Sequence, residues 1–295
     1  MAVFISEPAL EEQTFQPVSS RKRAWRRFAK NRLAVGGLIL IVLFILMAVA
    51  APVIAPYSPD ATHFGQAFHP PSAQHLLGTD ELGRDLLSRI IYGARGSLLS
   101  AVLIVILGVA IGVPVGLVSG YYGGWLDEVL MRIVDAGLAF PGLVLAMAMA
   151  WILGPSLIHA VIAIGLVTIP QFARVTRGQV LEVKNREYVE ASRCLGASPL
   201  RIMFRHILVN AATPIIVVAT LSIGGALLSV ASLSFLGLGP PPPAPNWGEM
   251  LQSGAEYLTM APWISLFPGA AIFLAVLGFN TFGDGIRDVF DPNHQ

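Results

Sequence analysis

Six apolar stretches, each about as long as a bilayer core is thick, constrain this chain more than anything else in it. They run approximately Leu33–Ile54, Ser97–Ser119, Val129–Leu153, Leu157–Val175, Ala211–Leu238 and Pro262–Phe282. A helix needs about 20 apolar residues to cross ~30 Å of hydrocarbon. In a bilayer such a helix is apolar on every side, so periodicity matters little. Membrane strands would show short alternating segments, and none are present. Charged residues make up 13% of the chain and mean hydropathy is +0.68, whereas a soluble domain carries roughly twice that charge. The expected fold is an all-α polytopic membrane protein with six transmembrane helices.

Lysines and arginines orient the bundle. Of the 19, only Arg84, Arg89 and Arg95 fall on one side of the predicted topology. The other sixteen precede the first span, lie around the connection between the fourth and fifth spans, or sit at Arg132 and Arg287. By the positive-inside rule the rich side is cytosolic, giving N-in/C-in. Residues 1–32 form a cytosolic basic segment, and 33–295 the transmembrane domain. The run Arg21 to Arg32, with Trp25 and Phe28 interleaved, has the character of a nucleic-acid patch or a signal-peptide start. A juxtamembrane segment on anionic headgroups fits it better, because the following apolar run is too long for a signal peptide. No nucleic-acid partner is expected. Cys194, the single cysteine, excludes an intrachain disulfide and has no metal-ligand partner nearby.

The connections divide into an external loop of about 55–96, a cytosolic loop of about 182–208 and an external loop of about 239–261. In the first, Thr79 or Asp80 is placed to cap an interfacial helix leading into the second span. Asp80, Arg84 and Asp85 are either a contact for an external partner or local ion pairs that fix the loop. Gly108, Gly112, Gly116 and Gly120 recur every four residues and so form one smooth helical face, where another helix can approach at backbone distance. Pro114 predicts a kink there. Asp127, Glu128, Arg132 and Asp135 are spaced for pairing near the cytosolic end of the third span. Arg132 and Asp135 are candidate cytosolic polar contacts, with Asp135 the one placed to reach the span interior. Deeper positions of all six spans lack Asp, Glu, Lys and Arg, which disfavours coupling through a buried carboxylate. The run Gly239 to Pro245, with four consecutive prolines, is a stiff external spacer or a partner-facing hairpin. No phosphate-binding Gly-Lys-Ser/Thr loop occurs, and Ser198 with His206 lacks any nucleophile-elbow context. The chain is not expected to be an enzyme or to bind a cofactor or metal.

Within this lipid-adapted chain, Glu190-Ala191-Ser192-Arg193-Cys194-Leu195-Gly196 is a polar island whose small residues and glycine suit close approach by another protein. Glu190-Ala191-Ser192, three residues, then Gly196, with Leu208 near the loop's end, resembles the cytosolic loop shared by permeases of ATP-binding-cassette importers. Ser192 stands where that pattern has a second alanine, and Val209 where it has proline. Other stretches resemble the C-type permeases of the dipeptide/oligopeptide/nickel group. These are Leu77 to Asp85, Met131-Arg132 with Asp135 and Ala139-Phe140-Pro141, Leu233 to Gly239, Pro262-Trp263, Leu277 to Asn280, Gly283 to Asp288 and Asp291-Pro292.

That resemblance implies a type I importer permease in a bacterial cytoplasmic membrane. It implies pairing with a homologous B-type permease, and two ATPase subunits that carry the ATP and Mg. An external substrate-binding protein would deliver a dipeptide, oligopeptide or related solute. Glu190, Ala191, Ser192, Gly196, Ala197 and Leu208 would form the ATPase-coupling loop, with Gly196 allowing a tight turn between two short helices. The competing classes are a secondary transporter without an ATPase, which predicts an inverted repeat and midplane charges, and a membrane scaffold with no translocation path.

Overall fold

The computed structural model describes residues 28–290. The basic residues Arg21 to Arg27 and the Asp291-Pro292 pair lie outside the described residues. Nine helices carry the argument below: α1 (Arg32–Val49), α2 (Leu86–Tyr122), α3 (Gly124–Leu138), α4 (Gly142–Leu153), α5 (Leu157–Val183), α6 (Glu187–Cys194), α7 (Leu208–Phe235), α8 (Trp247–Ala255) and α9 (Trp263–Phe290). Among the described residues there are no strands, only an isolated bridge between Thr79 and Asp85. Five helical runs are each long and apolar enough to cross a membrane. They are α1, α2, α5, Pro199–Phe235 (which contains α7) and α9.

The third predicted span differs. Instead of one rod through Val129–Leu153, α3 and α4 meet at a bend of 87°. Pro141 explains the break: it disfavours the helical conformation of Phe140 before it, and its own backbone is extended, with ψ of 119°. The interfacial helix expected after Thr79 or Asp80 is also absent. Asp85 is the cap, accepting hydrogen bonds from the Ser88 backbone N–H at 2.8 Å and the Ser88 hydroxyl at 2.7 Å. From there α2 runs unbroken for 37 residues, so the expected interfacial turns are its first turns. Pro114 lies inside this helix without dividing it.

Helix ends are fixed by local chemistry. Asn31 caps α1, accepting from the N–H groups of Leu33 and Ala34, while its amide donates to Asp288 of α9 at 2.9 Å. The start of the first span is thereby tied to the end of the last. Gly123 and Gly124, with φ of +66° and +57°, turn the chain from α2 into α3, a conformation that carries no steric cost only for glycine.

The tightest packing joins α2 to α5 along the glycine face. A Cβ placed on Gly112 would stand 2.7 Å from both the Ile169 carbonyl oxygen and the Phe172 Cβ, and one on Gly120 would stand 2.8 Å from the Val180 Cβ. Gly108 faces Thr168 and Phe172, and Gly116 faces Ala173 and Thr176. The strip therefore packs within this chain, where van der Waals contact replaces the hydrophobic drive that lipid cannot supply. One large apolar core surrounds Trp247, Phe172, Ile104, Leu227 and Ile264. A smaller one, at the arginine-rich end of the bundle, joins Leu117, Val180, Val183, Val189, Ile202, Met203 and Ile207.

Candidate functional site

The two ends of the bundle carry different polar architectures. At the basic end, α6 projects between α5 and the run that becomes α7. Val189, fully buried, pins it to the smaller core, while Glu190, Ala191, Arg193, Cys194, Leu195 and Gly196 are exposed. Gly196 closes the helix in a left-handed conformation, φ +78°. Its N–H donates to the Arg193 carbonyl at 3.0 Å, and the Ala197 N–H donates to the Ser192 carbonyl at 3.1 Å. Those two bonds are the Schellman pattern, which needs a residue tolerant of positive φ at that position. Ser192, half-buried, turns its hydroxyl inward to the Tyr188 carbonyl at 2.9 Å. Ala197 and Leu208 pack against the smaller core. The Glu190 carboxylate takes part in no ion pair or hydrogen bond among the described residues. Its place in the first turn of α6 is favourable to the helix dipole. Beyond Ser198, which caps a short turn at Pro199–Arg201, the chain is π-helical over Ile202–Ile207 before α7 begins.

The neighbouring ion pairs differ from expectation. Asp135 does not reach an interior. It is exposed and pairs with Arg174 at 2.6 Å. Arg132 is also exposed and lies 3.8 Å from Glu128. Asp127, another of the charges spaced for pairing, is half-buried where Asp135 is exposed, and is the better shielded carboxylate. Arg177 grips both its oxygens, at 2.6 and 2.7 Å, and the Ser119 hydroxyl donates to it as well. The Lys184 ammonium donates to the Gly120 carbonyl at 2.8 Å. Together these tie α2, α3 and α5 at the end from which α6 projects.

At the opposite end, Asp80, Arg84 and Asp85 are 2%, 4% and 3% exposed, so they are not a surface that an external partner can touch. Asp80 accepts from the backbone N–H groups of Leu82 and Arg84 and from the Arg84 side chain at 2.6 Å. Asp85, besides capping α2, meets the buried His75 at 2.9 Å. These are the internal pairs that fix the loop. The organising group is Arg89, which is 1% exposed. Its guanidinium donates to the carbonyls of Pro59 and Pro243 at 3.1 and 3.2 Å, and lies 3.5 Å from Glu249. Burial pushes the Glu249 carboxyl above its usual range, with Arg89 opposing that shift. Trp247 donates to the Ile90 carbonyl at 2.9 Å and Trp263 to the Thr79 carbonyl at 3.2 Å. One available signal for Arg89 was its position. An arginine on the side that the charge bias leaves nearly empty needs a local reason to be there.

Among the described residues no group of three or more His, Cys, Asp or Glu side chains is placed to hold a metal ion. Similarity to known proteins decides what such a bundle is. Residues 112–294 match the family described as "binding-protein-dependent transport system inner membrane component", and residues 19–71 match the N-terminal transmembrane domain of oligopeptide transport permease C. The chain belongs to the C-type permeases of the dipeptide and oligopeptide ABC importers.

Relatives of this permease agree along almost its whole length. It is 45% identical to the dipeptide transport system permease protein DppC of Alkalihalophilus pseudofirmus, covering 97% of this chain and 94% of the relative. It is 46% identical to the di/tripeptide transport system permease protein DppC of Pseudomonas aeruginosa, covering 97% and 96%. To the glutathione transport system permease protein GsiD of Escherichia coli it is 44% identical, covering 91% and 89%. In three dimensions the permease aligns with a chain of the inward-facing MetNI methionine ABC transporter. That match has a TM-score of 0.58 at 20% identity, covering 70% of this chain and 98% of the other. It establishes a shared fold.

Proposed function

We propose that this permease moves a dipeptide, short oligopeptide or related small solute such as glutathione inward across a bacterial cytoplasmic membrane, driven by ATP hydrolysed on separate subunits. The observation that carries the mechanism is α6. It is a short exposed helix with an unpaired acidic residue, closed by a glycine turn and rooted through Val189 in a core shared with α2, α5 and the segment entering α7. An ATPase subunit docks on that exposed face, with Ala191, Gly196 and Ala197 permitting close approach and Glu190 selecting a basic partner group. When the two ATPases close on ATP, the displaced α6 carries α5 and α7 with it. A B-type permease supplies the other half of the path, and an external binding protein delivers the solute. A transporter running on an ion gradient would keep ionisable groups at mid-depth, and the deep segments of these helices carry none.

Cys194 provides the test, because it is the chain's single cysteine and is exposed on α6. In the assembled complex it should react with a membrane-impermeant thiol reagent only from the cytosolic side, and a short bifunctional reagent should join it to an ATPase. Glu190→Lys and Gly196→Pro should leave insertion intact, abolish uptake and leave ATP hydrolysis running unproductively. Labelling from outside, or normal uptake by both variants at normal abundance, would sink the coupling role.

A further inference from the structure

A cleft of about 370 Å³ opens at the outer end between α8 and the proline-rich loop before it. Glu81, Glu249, Glu256 and Ser234 line it, and no lysine or arginine does. Two guanidiniums stand behind it. Arg84 lies 3.0 Å from one oxygen of Glu81, and Arg89 lies 3.5 Å from one oxygen of Glu249. Both are shared with other acids: each also pairs with Asp80, and Arg89 lies 3.8 Å from Asp60. Four carboxylates (Glu81, Glu249, Asp80 and Asp60) therefore draw on two guanidiniums, and a fifth at the cleft, Glu256, pairs with neither, which leaves negative charge in excess beside the cleft.

A second observation is independent of charge. Ser234 is 1% exposed, and its hydroxyl oxygen has no hydrogen-bond partner among the described residues. The remaining oxygen of Glu81 is likewise buried and unmet. Buried polar atoms are almost always paired, so unmet ones at the wall of an open cleft point to a missing donor. A protonated primary amine brings three N–H donors and no acceptor, which suits a wall that offers carboxylate and hydroxyl oxygens and no cation. The cleft volume falls within the range of small-ligand sites.

We propose that this cleft receives the ammonium group of the incoming solute, the free amino end where the solute is a peptide. The assignment rests on the permease reading above and narrows it: solutes with a free amine are favoured at the outer mouth, and those with a blocked amine are not. A lysine on an external protein would offer the same chemistry, so the test must separate the two sources.

The assembled complex in lipid nanodiscs, without its external binding protein, is titrated with alanyl-alanine and with N-acetyl-alanyl-alanine by ligand-observed NMR. The free dipeptide should bind about tenfold more tightly than the acetylated one. The doubly substituted Glu81→Gln/Glu256→Gln complex should lose about that tenfold preference, with binding of the acetylated peptide unchanged. Glu256 is exposed, so Glu256→Gln alone tests the charge without disturbing the fold. Ser234→Ala, which removes a hydroxyl with no internal partner, should weaken the free dipeptide about fivefold. Equal affinity for both peptides, or a preference indifferent to these substitutions, overturns the proposal. So does a double variant that binds dipeptide normally but no longer docks the external binding protein, because the cleft would then hold a protein lysine. Absence of ATP-driven uptake in the unsubstituted complex would overturn the permease reading itself. Normal uptake with dipeptide binding insensitive to the substitutions overturns only the cleft assignment.

Discussion

Replacing Gly112 by alanine adds one methyl group where α2 and α5 meet at backbone distance. That carbon would stand 2.7 Å from the Ile169 carbonyl oxygen, 2.7 Å from the Phe172 Cβ and 3.1 Å from the Ala173 nitrogen. Two of these are backbone atoms of α5, so no side chain can rotate away to make room. Carbon contacts settle at about 3.5–4.0 Å, so α2 and α5 must part by roughly 0.8 Å, a gap that forfeits a quarter to a half of each dispersion contact along the seam. Overpacking of this kind costs about 2 kcal/mol, equivalent to a fall in melting temperature of roughly 4–8 °C. Gly36→Ala is the matched control, because a Cβ there meets nothing within 4 Å. The assay is thermal unfolding of the purified chain in detergent, read by tryptophan fluorescence and by loss of the monodisperse peak. If Gly112→Ala melts with Gly36→Ala, the α2–α5 seam is not held at backbone distance and the reasoning fails.

Two further outcomes concern the end opposite α6. Arg89→Leu strips a buried cation from Glu249 and from two backbone carbonyls, and should cost about 3–5 kcal/mol, seen as sharply reduced membrane abundance. Arg89→Lys should not restore it, because a compact ammonium lacks the planar fork that serves several acceptors at once; abundance equal to wild type in either variant refutes the role. Glu249 gives a pH dependence: burial raises its carboxyl above the ordinary 4.5, so its contribution is fully present below that value and is lost as pH rises through the raised one. Glu249→Gln should therefore be more stable than wild type at pH 7, with the advantage gone near pH 4. An advantage that grows on acidification would mean the shift has the opposite sign.

How much of this was legible in the sequence depended on how local the cause was. The long helices follow from run length alone. The turn at Gly196 follows from one residue's freedom at positive φ, and the α2 glycine strip from a spacing of four. The break at Phe140-Pro141 was also written locally, but hydropathy over Val129–Leu153 hides it, since an apolar run has the same composition whether straight or bent. For Asp80, Arg84 and Asp85 the spacing leaves both an external contact and local ion pairs open, because it does not say how deeply the loop is buried. What buries the knot around them is Pro243, Glu249, Trp247 and Trp263, which meet it from more than 150 positions away along the chain. No spacing rule reaches that far. Asp127 and Asp135 illustrate the same limit on a smaller scale. Both sit on α3, and only the approach of α5 decides that Arg177 encloses the first while Arg174 meets the second in the open.

The arrangement of polar knots bears on how movement at α6 would travel under the proposed coupling. One helix, α2, takes part in both ends, carrying Arg89 at the knot far from α6 and Ser119 and Gly120 at the basic one. Between them its contact with α5 is a glycine seam, too close for either helix to slide or rotate without collision. On the coupling proposed above, a push delivered to α6 would reach Val183 and Leu117 through the shared core, and so would enter a two-helix unit that moves as one body. The compliant joints must then lie elsewhere, and the structure offers two. One is the 87° bend at Pro141. The other is the π-helical stretch Ile202–Ile207, where backbone hydrogen bonds are already out of the regular register. Stiffening either joint should therefore impair transport while leaving ATPase docking intact, whereas loosening the α2–α5 seam should impair both stability and coupling, because the same contact holds the unit together and makes it a lever.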